Sequence, residues 1–145
     1  MAMKLQPVRI EDETNLRCEF QLETTGRNPF CFTLIVKFTG DYQDGSAGKP
    51  DLRFMVGMTK TAVAIWQPAA LVVDLSELRY EWGDDLADLV SPSVAGKKTA
   101  VVVGPKCARG IATLLWGTST QREATEAEFI FESVEAAWQS VRHRN

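Results

Sequence analysis

Short apolar runs alternate with segments of helical period along most of this chain, and that alternation constrains its fold more than any other feature. "ALVVDL" at 70–75, "TAVVVG" at 99–104 and "AEFIFE" at 127–132 are each followed by a stretch of helical character. Before them, Leu52, Met55, Thr59, Ala62, Val63 and Trp66 fall on one helical stripe that Pro68 ends. "DDLADLVSPSV" at 84–94 reads as a helix stopped by Gly96, and "ARGIATLLWG" as one ending at Gly117. In "SVEAAWQSVRHR", Val134, Ala137, Trp138 and Val141 share a face, and Ser133 is placed to cap it. Strands separated by helices in this way give βαβ units and a mainly parallel sheet with right-handed crossovers.

The N-terminal part follows a different period. In "LRCEFQLE", Leu16, Cys18, Phe20 and Leu22 alternate with Arg17, Glu19, Gln21 and Glu23, as in a half-exposed edge strand. "TTGRNP" turns the chain into "FCFTLIVKF", so these two strands form an antiparallel hairpin. Strands are therefore expected at 16–23, 31–38, 70–75, 99–103 and 128–131, the first antiparallel to its neighbour and the last four parallel. The glycine-rich stretch 40–50 is the only linker-like segment, and there is no internal repeat. The expected organisation is a single α/β domain over 1–145.

Composition removes several classes of function. A 45% apolar and 24% charged composition is that of a soluble globular protein. A net charge of −3 gives no positive field for nucleic acid. No apolar run approaches a membrane span, and the N-terminus lacks the apolar centre of a signal peptide, so a cytoplasmic location is expected. Cys18, Cys31 and Cys107 are widely spaced and odd in number, as reduced thiols are. The one histidine, His143, lies in the tail, which argues against serine–histidine or histidine–metal catalysis. "GSAGKP" has neither the spacing nor the terminal hydroxyl of a phosphate-binding loop. No cofactor or metal is expected.

"VVDLSELRYEWGDDL" at 72–86 resembles the signature of the STAS domain, shared by anti-sigma factor antagonists and sulfate transporter tails. That signature runs from an apolar strand through Asp-Leu-Ser and an apolar pair to Asp-Ser-Ser-Gly-Leu opening a helix. Asp74, Leu75 and Ser76 match its first part, Leu78 and Tyr80 its apolar positions, and Leu86 its final leucine, without a gap. "LIVKFTGD", "TAVVVGPKCARGIATLLWG" and "FIFESVEAAWQSV" are similar to the flanking strands and helices, so the resemblance covers about 16 to 142. It implies a regulatory module that acts by binding. The family's regulatory members carry a phosphorylatable serine at the helix head, where this chain has Trp82, Gly83, Asp84 and Asp85. The usual phospho-switch has no hydroxyl to act on. Ser76 follows the strand directly, where its side chain is expected to bond local backbone.

Two readings of Asp84 and Asp85 stand side by side. They serve the helix as first-turn carboxylates, or they form a fixed acidic patch in place of a phosphate. With Trp82 as an aromatic anchor, Trp82, Gly83, Asp84 and Asp85 become the expected partner-binding surface. The alternative site is "GPKCARG", where Lys106 and Arg109 flank Cys107 at a helix start. That setting lowers a thiol pKa and attracts anions, such as a nucleotide phosphate or lipid headgroup, in a cleft beside "EWGDD". The plainer reading is a small cysteine buried under the turn. No catalytic base accompanies it, so binding is favoured over an enzyme.

Apolar surface also has to be accounted for. Crossover helices cover one sheet face, leaving Thr33, Ile35, Ala70, Val72, Ala100 and Val102, or the opposite parity, to be covered by something else. The N-terminal "PVRIEDE", the long loop or a second subunit would serve. A second strip on the first helix (Phe54, Met58, Thr61 and Ile65) is buried or meets a partner. The expected partner is thus a regulatory protein or a second copy in a two-fold homodimer.

Overall fold

The structure, a computed structural model, describes residues 2–24 and 32–142. Cys31, His143 and most of the "TTGRNP" turn lie outside them. Among the described residues six strands form one sheet: β1 Arg17–Glu23, β2 Thr33–Asp41, β3 Ala70–Arg79, β4 Ser93–Val94, β5 Lys97–Val103 and β6 Ile130–Phe131. The helices are α1 Lys49–Trp66, α2 Ala108–Trp116 and α3 Val134–Val141. The strand order is β1-β2-β3-β5, with β4 and β6 both on the far side of β5. β1 runs antiparallel to β2, while β2, β3, β5 and β6 are mutually parallel, as the hairpin and helix spacing require.

Sequence chemistry sets α1 closely. Pro50 sits in its first turn, where a missing N–H costs nothing. Leu52, Met55, Thr59 and Ala62 are buried on the expected stripe, and Gln67 closes the helix in left-handed geometry before Pro68. The helix begins two residues before Asp51, inside the expected loop. Buried Asp51 then ties three segments together. It accepts from Thr14 Oγ1 at 2.5 Å, ahead of β1, and from the Gln43 N–H at 2.9 Å, after β2.

Both crossover helices lie on one face, over Leu34, Val36, Phe38, Leu71, Val73, Leu75, Val101 and Val103. The apolar part of the other face is covered by neither the N-terminus nor the loop, but by α3. α3 folds back and packs Val134, Ala137 and Val141 on Ala70, Val72, Ala100 and Val102. Ser133 caps it by accepting from the Ala136 N–H at 3.2 Å. Beyond α3's reach this face is polar: Arg17, Glu19 and Gln21 stand beside Lys37 and Thr39, and Lys37 bridges to Glu77 at 2.8 Å. Of the second strip on α1, Phe54 and Met58 rest half-buried on the core, whereas Ile65 is 65% exposed.

The expected helix at 84–94 is the main correction. Only Asp84–Asp88 coils, as a 3-10 turn. Leu86, Leu89 and Val90 are still buried, so the apolar spacing is satisfied without an α-helix. Pro92 lacks the N–H an extended helix needs, and Val94 pairs with Lys97 in a hairpin. Gly96 is therefore no helix stop. With Ala95 it forms the two-residue hairpin turn, both at positive φ. β3 also runs four residues past the expected end at 75, while β6 is shorter than 128–131.

Candidate functional site

The extension of β3 carries the chain to Tyr80 at the carboxyl end of the sheet, where ligands and partners of parallel sheets gather. The Tyr42 N–H donates to Arg79 O at 2.8 Å, which sets Tyr42 beside Tyr80. Their rings meet edge to face, 5.4 Å apart, and both are buried. The Tyr80 hydroxyl donates to Gly83 O at 2.6 Å and so pins the turn that follows. The Tyr42 hydroxyl is buried with no hydrogen-bond partner among the described residues.

Trp82 stands at the apex of this turn, 60% exposed. Its six-membered ring lies against the backbone of Gly45, close enough that a Cβ there would come within 2.6 Å of Cη2. The Gly45 N–H in turn donates to Trp82 O at 3.3 Å. The indole is thus seated on one loop with its other face open.

Around it, Glu81, Asp84 and Asp88 are exposed and Asp85 is half-buried. Glu81 pairs with Arg79 at 3.0 Å. Asp84, Asp85 and Asp88 make no hydrogen bond or ion pair with any described residue. A five-residue 3-10 turn supplies little macrodipole, so helix capping does not account for these carboxylates.

Burial first, and then these carboxylates, holds both phenols neutral. Desolvation, followed by Asp85, Asp51 and Asp88, pushes Tyr42 up to about 12. Desolvation, then Tyr42, Asp84 and Asp44, raises Tyr80 as well. Because folded values lie above the ordinary value of about 10, these groups stabilise the fold fully below that pH. Their contribution is lost as pH rises through the Tyr42 value of about 12. Urea midpoints are expected to hold level up to about pH 10 and then fall, in step with tyrosinate absorbance. Tyr80→Phe is expected to cost about 1 kcal/mol and Tyr42→Phe close to nothing, because only the first loses a hydrogen bond. Equal losses in the two variants would contradict this arrangement.

The alternative site assembles differently from its expectation. Cys107 is buried, and its thiol donates to Leu75 O at 3.2 Å. Burial raises its pKa, the opposite of an activated thiol. Arg109 is exposed but donates to Thr120 O at 2.7 Å, and only Lys106 projects freely from the turn. The two turns are in direct contact where they meet. The Tyr80 N–H donates to Lys106 O at 3.1 Å, and a Cβ on Gly110 would lie 2.6 Å from Tyr80 O. At Asp-Leu-Ser, the local bond is made by Asp74 rather than by the Ser76 side chain: Asp74 Oδ1 accepts from the Ser76 N–H at 2.9 Å.

Tyr42, Asp44 and Gly45 escaped the sequence reading because they lie in the glycine-rich loop. The aromatic residue in an otherwise small and polar stretch is the one sign of them. Among the described residues no cluster of histidine, cysteine or carboxylate side chains is arranged to hold a metal, and no helix is long and apolar enough to cross a membrane.

No protein-family model matches the chain, and no curated protein matches it.

Proposed function

We propose that the chain is a STAS-like regulatory module that acts by binding a basic protein surface through Trp82, Gly83, Asp84 and Asp85. The observation that carries this reading is the seated, open indole of Trp82 beside carboxylates that have no partner within the described fold. An arginine or lysine of the partner over that indole gains a cation–π contact and the nearby negative charge together. With no hydroxyl from 82 to 85, the charge is permanent rather than switched.

A photo-crosslinking amino acid at position 82 tests this in the source cell, with the same probe at Glu128 as control. A discrete adduct specific to position 82, lost in Asp84→Lys/Asp85→Lys, is expected. Against the isolated partner, Trp82→Ala is expected to weaken binding by about 2 kcal/mol, roughly thirtyfold. The remaining affinity should fall as salt rises. No adduct, or the same adducts from both positions, would remove the proposal. High-occupancy phosphate at Ser76 or Ser91 would mean that a switch exists elsewhere.

A further inference from the structure

A second feature lies on the polar, uncovered part of the sheet, at the carboxyl ends of β2 and β3. There the start of β1, the end of β2, the loop after it and the end of β3 enclose an open cleft of about 760 Å³. That is within the usual range for small-molecule sites. Its lining includes Asn15, Arg17, Gln43, Asp44 and Arg79.

The pairing of these groups is uneven. Arg79 is held in place by Asp41 at 3.3 Å and Glu81 at 3.0 Å. Arg17, by contrast, has no ion pair or side-chain hydrogen bond with any described residue. The side chains of Asn15 and Gln43 likewise have no hydrogen-bond partner there. Asp44 Oδ1 is enclosed by protein and also lacks a partner, so Oδ2, unpaired with any described residue, is the oxygen that the cleft can reach. Such a carboxylate is costly unless a positive group compensates it. Arg17 does not do so, since the two side chains line the same cleft without forming an ion pair.

We infer that this cleft binds a small zwitterion of the amino-acid class, with its carboxylate on Arg17 and its ammonium group at Asp44. Arg17 offers a planar fork of donors that matches a carboxylate in two-point contact. Asp44 meets the ammonium through Oδ2, and Asn15 and Gln43 supply neutral hydrogen bonds around it. A simple anion leaves Asp44 uncompensated, and a simple cation leaves Arg17 so. The site therefore discriminates by requiring both charges on one molecule.

The test is an amide NMR titration of the full chain with glycine, L-serine, L-glutamate and L-lysine. Acetate, methylamine and inorganic phosphate serve as single-charge probes. At least one amino acid is expected to shift amides 15–17 and 40–45 saturably, with a matching rise in Tm. The single-charge probes should give no saturable shift at the same concentration. Arg17→Gln and Asp44→Asn, each checked by circular dichroism for a native fold, should weaken binding about tenfold or more. Phosphate acting as well as an amino acid would make this an anion site and overturn the inference. So would shifts that persist in both variants, or the lack of any saturable response. The Trp82 crosslinking readout is independent of every one of these outcomes.

Discussion

Gly104→Ala is expected to destabilise the protein by about 3 kcal/mol or more, because the new methyl group has no space to enter. A Cβ at this position would lie 2.1 Å from Ser76 O, 2.8 Å from its carbonyl carbon and 3.0 Å from its Cα. All three are backbone atoms of β3, which is bonded to β2 on one side and β5 on the other, so it cannot yield as a side chain can. The strain also spreads. Gly104 O accepts from the Cys107 and Ala108 N–H groups, and Cys107 Sγ reaches back to Leu75 O, so displacing Gly104 displaces the start of α2. Gly57→Ala is the matched control. It lies in mid-α1 with nothing within 4 Å of its Cβ, and is expected to stabilise by about 0.5–1 kcal/mol. Urea unfolding of both variants measures this. A Gly104→Ala midpoint equal to the parent's would rule out the close approach of β3 and β5.

Phe38→Ala is expected to cost about 3–5 kcal/mol, a large share of the roughly 5–15 kcal/mol that holds a domain together. Phe38 is fully buried in the middle of the covered face, edge-on to Phe54 of α1 at 6.4 Å. Its strand is bonded on both sides, and α1 closes the space above, so the cavity collapses little. Phe20→Ala provides the comparison on β1, the edge strand, where the ring is half-buried against Trp66 at 5.4 Å. The loss there should be clearly smaller at an unchanged denaturant slope. Equal losses would mean that the core is not centred between β2 and α1.

How much of this was legible in the chain varies by element. The stripe Leu52, Met55, Thr59 and Ala62 is the buried face of α1 because it follows from helical period alone. The parallel pairing of β2, β3, β5 and β6 was legible too, since the connecting segments are too long for hairpins. Leu86, Leu89 and Val90 misled. The same spacing is met by a 3-10 turn and the residues after it, and Pro92 with the Ala95–Gly96 turn decides between the two. At Cys107, Lys106 and Arg109 suggested an electropositive thiol. Yet which way a side chain points from a tight turn depends on what packs beneath it, here Leu75 O.

By itself, the order of apolar periods determined β1, β2, β3, β5 and β6, their directions and the placement of α1 and α2 on one face, but not β4. Crossovers between parallel strands have only one favoured hand, so local pattern carries over into topology. The position of α3 was open, because a helix after the last strand crosses nothing and no handedness rule places it. Contact decided it: Val134, Ala137 and Val141 found the apolar face that the crossovers had left bare. The same holds for the candidate site. Trp82 and the acidic residues were visible as residues, but the Gly45 backbone that seats the indole comes from a loop 37 residues earlier in the numbering (82 − 45). Such a contact exists only once β2 and β3 pair and bring the two turns to one end of the sheet.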